Sequence, residues 1–166
     1  MQGRIWAESA PGKGSSFHFT FHAPRVAPQL SATQTVVTPQ QDFSHLVVLL
    51  AEDNPTNRLL ALKFLEKLGI TPDVAHDGLQ ALERMHAKHY DVVLMDVQMP
   101  HMDGLTATRQ VRATPDLQQP HIIALTANAF ADDKAACLAA GMNDFVSKPV
   151  NLNRLREALE RADVRP

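Results

Sequence analysis

The stretch Asp91-Val92-Val93-Leu94-Met95-Asp96-Val97-Gln98-Met99-Pro100-His101-Met102-Asp103-Gly104 limits the fold more than any other part of the chain. Residues 92–95 form a short, continuous apolar run, β-branched at its start and too short for a helix. Such a run reads as a strand buried on both faces, the pattern of a parallel sheet. It stops at a carboxylate, Asp96, and a loop with a proline and an Asp-Gly turn follows. An acid at the carboxyl end of a parallel strand occupies the place where open α/β sheets bind ligands. A lone loop aspartate more often caps a turn or the next helix; here its neighbours decide the matter.

A second apolar run, 46–50, leads directly into Glu52-Asp53. If the two strands are parallel neighbours, three carboxylates meet at one edge of the sheet. Two such charges about 4 Å apart repel by roughly 1 kcal/mol in water and roughly 4 kcal/mol at an effective dielectric of about 20. A fold that gathers them needs a cation. Oxygen-only ligands with room for water favour Mg²⁺, with Mn²⁺ as the alternative, and no Cys/His set with zinc spacing lies nearby.

Two more strand ends complete the set. The run 122–125 ends in Thr126, and 144–147 ends in Lys148-Pro149. A hydroxyl and an ammonium beside a carboxylate and a divalent cation suit phosphoryl transfer, with Asp96 as nucleophile and Lys148 and Thr126 on the equatorial oxygens. Singly, Lys148 reads as a solvated lysine and Thr126 as a helix cap; four strand ends with matching chemistry outweigh those readings.

At this point the chain resembles the receiver domains of two-component response regulators, from about residue 45 to its end. The matching pieces are Ala51-Glu52-Asp53-Asn54, Met95 to Gly104, Ala124-Leu125-Thr126-Ala127 and Lys148-Pro149. The resemblance implies a flavodoxin-like (βα)5 fold in which Asp96 takes a phosphoryl group from a phosphohistidine. It implies Mg²⁺ bound by Glu52, Asp53, Asp96 and the backbone carbonyl of Gln98. Thr126 and Lys148 would contact the phosphoryl group, and Thr126 and Phe145 would form the switch. It also implies a cis Lys148-Pro149 bond. Asn54-Pro55-Thr56-Asn57-Arg58 and Gln98-Met99-Pro100 are most similar to receivers attached to hybrid sensor kinases.

Residues 1–23 read differently. The alternation Phe17-His18-Phe19-Thr20-Phe21 marks a strand with one apolar face. Gly12-Lys13-Gly14-Ser15 misses the phosphate-loop spacing, because Ala7 and Gly14 stand where glycine and Ser/Thr belong. Gly3-Arg4-Ile5-Trp6-Ala7-Glu8-Ser9 with Gly12 to Phe17 resembles the last hairpin of a histidine-kinase ATP-binding domain, without the parts that hold adenine. ATP binding is therefore not expected. Residues 24–44 carry three prolines, many Gln, Ser and Thr, and only Arg25 and Asp42 as charges, the composition of a linker. The expected order is thus a hairpin fragment at 1–23, a linker at 24–44 and a receiver at 45–166, together a piece of a hybrid sensor kinase. Such a piece lacks the kinase catalytic core and catalyses only its own phosphorylation and dephosphorylation.

A net charge of −2 argues against nucleic-acid binding, and no apolar run approaches the roughly 20 residues that span a bilayer. One cysteine, Cys137, excludes an internal disulfide and fits a reducing, cytoplasmic setting; its alanine-rich surroundings suggest packing. Asn54 and Pro55 open a helix expected to run to residue 68, with an apolar arc wider than a core-facing helix needs. The resemblance assigns the surplus, Leu59, Leu60 and Phe64 together with Pro149, to docking of a histidine-phosphotransfer domain; the kinase's phosphohistidine domain is the other expected partner. His86 and His89 lack a third ligand and read as solvated.

The function expected is Mg²⁺-dependent acceptance of a phosphoryl group on Asp96 and its onward transfer to a phosphotransfer histidine. Two alternatives stand beside it. A Mg²⁺-dependent aspartyl-nucleophile phosphatase would often carry a second acid two residues on, where this chain has Gln98. A receiver-like interaction module that takes no phosphate would have little use for a complete set of site residues.

Overall fold

The computed structural model describes residues 3–12, 14–21, 42–127 and 131–163. The chain divides into two compact units, Met1–Pro39 and Gln40–Pro166. In the first, strands β1 (Gly3–Ala10) and β2 (Gly14–Phe21) form an antiparallel hairpin, with Gly12 and Gly14 at positive φ in its turn. The register places Ile5 opposite Phe19 and Ala7 opposite Phe17, while Trp6 stacks on His18 with ring centroids 5.0 Å apart. The strand expected from the phenylalanine alternation is β2. Most of the linker, including Val36 and Val37, lies outside the described residues, as does Asn128.

The second unit alternates strand and helix: β3 (Val48–Ala51), α1 (Pro55–Lys67), β4 (Asp73–Ala75), α2 (Gly78–Ala87), β5 (Val92–Asp96), α3 (Gly104–Ala113), β6 (His121–Thr126), α4 (Ala131–Ala139), β7 (Asp144–Ser147) and α5 (Leu152–Asp163). The sheet order is β4-β3-β5-β6-β7 and every pairing is parallel. This is the doubly wound α/β fold expected, and its chain reverses direction across the sheet beside β3 and β5, where such folds place ligands.

Period-two alternation in the short apolar strands builds a core on each face. Val48, Leu50, Leu94 and Ile123 face Leu65, Leu155 and Leu159 of α1 and α5. Leu49, Val93, Met95 and Ile122 face Ala81, Met85, Ala107 and Val111 of α2 and α3, with Cys137 of α4 buried among them. Because both faces are covered, the central strands β3 and β5 are apolar from their first residue up to the acids at their carboxyl ends, and β4, β6 and β7 carry polar residues only at their termini.

Local chemistry sets the helix starts. The Asn54 side chain accepts from the Thr56 and Asn57 N–H groups, and Pro55 sits in the first turn of α1, where a missing N–H costs nothing. Asp77 and Asp103 cap α2 and α3 in the same way. Strand β3 begins two residues later than the sequence suggested, since the Val47 N–H is taken by the Asp91 carboxylate rather than a strand neighbour. Strand β4 starts at Asp73, just past Pro72, which has no N–H to give. Phe43, which composition placed in the linker, is fully buried in the α1/α5 core. The Lys148-Pro149 bond is cis, as the resemblance implied. Among the described residues no helix is long and apolar enough to cross a membrane.

Candidate functional site

Four strand ends converge. The register sets Ala51 beside Met95, Asp96 beside Leu125 and Thr126 beside Ser147, so Glu52-Asp53, Asp96, Thr126 and Lys148 emerge at nearly one level. Glu52, Asp53 and Asp96 each present a carboxylate oxygen, all within 4.8 Å of one another. Glu52 and Asp96 are buried, as is Thr126, while Asp53 is exposed. The Lys148 ammonium reaches both buried acids, at 2.8 Å from Glu52 Oε2 and 2.6 Å from Asp96 Oδ2. These groups line a cleft of about 280 Å³ that also takes in Asn54, Asn57, Gln98 and Asp133.

One ammonium facing three carboxylates leaves the site net negative. Burial pushes the Asp96 carboxyl above the ordinary carboxylate range; its contact with Lys148 pulls the other way, and the charge of Glu52 adds to the rise. A cation entering beside exposed Asp53 would relieve that imbalance. The donors are all carboxylate oxygens in an open cleft, a set that fits a hard cation such as Mg²⁺, which keeps several waters and takes one or two carboxylates.

The surrounding residues fix the acids. Asn57 Nδ2 donates to Glu52 Oε1 at 3.1 Å, leaving Oε2 for Lys148. Arg58 donates to the carbonyl oxygens of Glu52 and Asp53, each at 3.0 Å, and so braces the backbone of the acid pair. The Gln98 N–H donates to Asp96 Oδ1 at 3.2 Å, and the Lys148 N–H to the Thr126 carbonyl at 2.7 Å. Gly104 packs its Cα against the backbone of Asp96 so closely that a Cβ there would lie 2.1 Å from the Asp96 carbonyl oxygen.

The remaining expected residues are scattered by the same geometry. Phe145, on β7, is partly buried against the α2/α3 core, with the Lys134 ammonium 4.2 Å from its ring centroid. Leu59 and Leu60 are exposed on α1, and Pro149 is exposed after Lys148. Phe64 differs from them, being partly buried and packed on the core, so its ring contributes to the core as well as to the surface. His86 and His89 are exposed. Sequence reasoning did not assign roles to Asn57, Arg58 or Asp133. The first two lie in the first turn of α1, and their contacts with the acid pair follow from how that helix leaves β3, which no local pattern announces.

Residues 48–160 match the family of the response regulator receiver domain. The sensor protein EvgS of Escherichia coli (strain K12) is 39% identical over 166 residues, an alignment that covers 97% of this chain and 13% of that protein. The chain spans 5% to 20% of the length of the first curated relatives it matches. Among solved structures, the receiver domain of a sensor histidine kinase from Pseudomonas aeruginosa PAO1, with a magnesium ion coordinated in its active-site cleft, is 41% identical. It superposes with a TM-score of 0.65, covering 70% of this chain and 95% of that one. The receiver domain crystallised with the Saccharomyces cerevisiae histidine phosphotransfer signaling protein is 33% identical, with a TM-score of 0.61 and coverage of 68% and 84%. Through its second unit, this chain belongs to the response regulator receiver domain family.

Proposed function

We propose that Asp96 accepts a phosphoryl group from a phosphohistidine and passes it to the histidine of a phosphotransfer domain. The observation that carries this is the placement of a buried carboxylate 2.6 Å from Lys148 and within 4.8 Å of two further acids. An oxygen of Asp96 attacks phosphorus, the P–N bond breaks, and the imidazole leaves with the bonding pair and takes up a proton. The product is a mixed carboxylic–phosphoric anhydride. Mg²⁺, held by Glu52, Asp53, Asp96 and the Gln98 carbonyl, with Mn²⁺ as a substitute, would supply charge neutralisation on the transferred oxygens. Lys148 loses one carboxylate partner as Asp96 is esterified and turns its ammonium to the new phosphoryl oxygens, while the Thr126 hydroxyl donates to another. Movement of Thr126 towards the phosphoryl group frees space for Phe145 to turn inwards, shifting the population of the surface it lies on.

The magnesium-bound relative supports the ion, and the yeast complex supports the class of partner. Leu59 and Leu60 lie on the helix whose first turn, through Asn54 and Asn57, lines the cleft, so a partner covering them would hold its histidine near Asp96. The EvgS alignment extends over the hairpin, which supports reading it as the end of a kinase ATP-binding domain joined by a linker to the receiver of a hybrid sensor kinase acting in the cytoplasm. Incubation with a phosphorylated histidine-phosphotransfer domain tests the proposal. Label should leave the histidine for the wild-type chain but not for Asp96→Asn. Equal transfer to both proteins would overturn it.

A further inference from the structure

The loop between β5 and α3 carries a backbone feature that the chemistry above leaves unexplained. His101 has φ +60°, in the left-handed region that residues other than glycine seldom occupy. Across it, the Met102 N–H donates to the Pro100 carbonyl at 2.6 Å, closing a three-residue turn. A turn of that size with positive φ at its centre is the rare and strained γ form. Strain of this kind persists only where surrounding contacts over-determine it.

Those contacts come from the start of α2. Asp77 accepts the Gln80 N–H on one oxygen, while its other oxygen, Oδ2, lies 3.1 Å from His101 Nδ1. The acceptor is a buried carboxylate, so Nδ1 carries the proton; most of the imidazole faces solvent. The Gly78 N–H donates to the Met102 carbonyl at 3.0 Å, and a Cβ on Gly78 would lie 2.5 Å from that same oxygen. The base of the loop is tied separately, by Gly104 N–H to the Val97 carbonyl and Val97 N–H to the Leu125 carbonyl. Between base and tip lies the Gln98–Met99 peptide, whose N-terminal side is set by the Gln98 bond to Asp96. Its carbonyl side runs through Met99 and Pro100 into the tip.

We propose that His101 and Asp77 are positioning residues: their hydrogen bond straps the β5–α3 loop to α2 and so orients the Gln98 carbonyl for a Mg²⁺ ion at Glu52, Asp53 and Asp96. This rests on the metal reading of the site given above. His101→Ala removes the strap and keeps the backbone demand. His101→Asn restores a donor at the position of Nδ1 and tolerates the left-handed region. Calorimetric titration of the full chain with MgCl₂ should show His101→Ala binding about 10-fold more weakly, as loss of a ligand-orienting partner does, and His101→Asn binding close to wild type. Hydrogen–deuterium exchange of metal-free protein should show faster exchange at Gly78 and Met102 in the alanine variant alone, with thermal midpoints of the three proteins alike.

Wild-type Mg²⁺ affinity in His101→Ala would overturn the strap and leave the site reading intact, as would equal weakening in both variants. Absence of Mg²⁺ binding by the wild-type chain would overturn the site reading itself, and the strap's role with it.

Discussion

Gly104→Ala is the substitution whose effect is most directly written in the geometry. Gly104 opens α3, and the Asp96 backbone passes immediately beneath its Cα. An added Cβ would lie 2.1 Å from the Asp96 carbonyl oxygen and 2.8 Å from Met95 Cγ, where real Cβ atoms keep at least 3.0 Å. The methionine side chain can rotate away; the carbonyl belongs to a buried strand and cannot. Either α3 or the end of β5 must therefore move by close to 0.9 Å, the difference between 3.0 Å and 2.1 Å. Overpacking of this kind costs about 1–3 kcal/mol, and the usual gain from replacing a helical glycine, about 0.5–1 kcal/mol, offsets only part of it. A net loss of roughly 1–2 kcal/mol should appear as a lower urea midpoint at unchanged slope. The chemical loss should be larger, because displacing a reacting group by about 1 Å costs on the order of 100-fold in rate. The assay pairs urea denaturation with the initial rate of phosphorylation by acetyl phosphate in saturating Mg²⁺. A variant as stable and as reactive as wild type would refute the reasoning, since it would mean the Asp96 carbonyl yields freely.

Other outcomes follow from the same contacts. Asp96 has a folded-state pKa raised above 3.8, so its contribution to stability is fully present below that value and is lost as pH rises through the folded pKa. In Mg²⁺-free buffer, Asp96→Asn should therefore exceed wild type in thermal midpoint at neutral pH, with the gap closing as pH falls towards 3.8; a constant gap would contradict the sign. Mg²⁺ at about 100 times its dissociation constant should stabilise wild type by about 2.7 kcal/mol, read as a rise in urea midpoint that chelation reverses. Phe43→Ala should cost about 3–5 kcal/mol in urea unfolding of the receiver, because a fully buried ring leaves a cavity. Leu59→Asp with Leu60→Asp should slow transfer to a phosphotransfer domain while leaving phosphorylation by acetyl phosphate unchanged; equal slowing of both would move the docking surface elsewhere.

The sheet and the site's main residues were legible because burial on both faces forces the strands to be apolar. Any polar residue at a strand's end then stands out, as Asp96 does after residues 92–95 and Glu52 after 46–50. Phe43 was not legible: its neighbours have linker composition, and only the three-dimensional placement of one ring decides that it closes the core. Nor was the bracing of the acid pair by Asn57 and Arg58, which depends on the exit angle of α1 rather than on any local pattern. Asp133 joins the cleft from the first turn of α4, outside the matching motifs. The left-handed backbone at His101 gives no compositional signal, since the residue that adopts it is not a glycine. Gly104 could be read as a turn former, but its steric role against Asp96 appears only once α3 is docked.

On the function proposed above, Asp96 is the phosphoacceptor. Its most direct test is intact-mass analysis after incubation with phosphoramidate and Mg²⁺, followed by hydroxylamine treatment and peptide mapping. A single hydroxylamine-labile phosphoryl group on the peptide containing Asp96, absent from Asp96→Asn and abolished by chelation, is the predicted result. A modification that persists in Asp96→Asn, or no modification from either phosphoramidate or a phosphohistidine donor, would contradict the account.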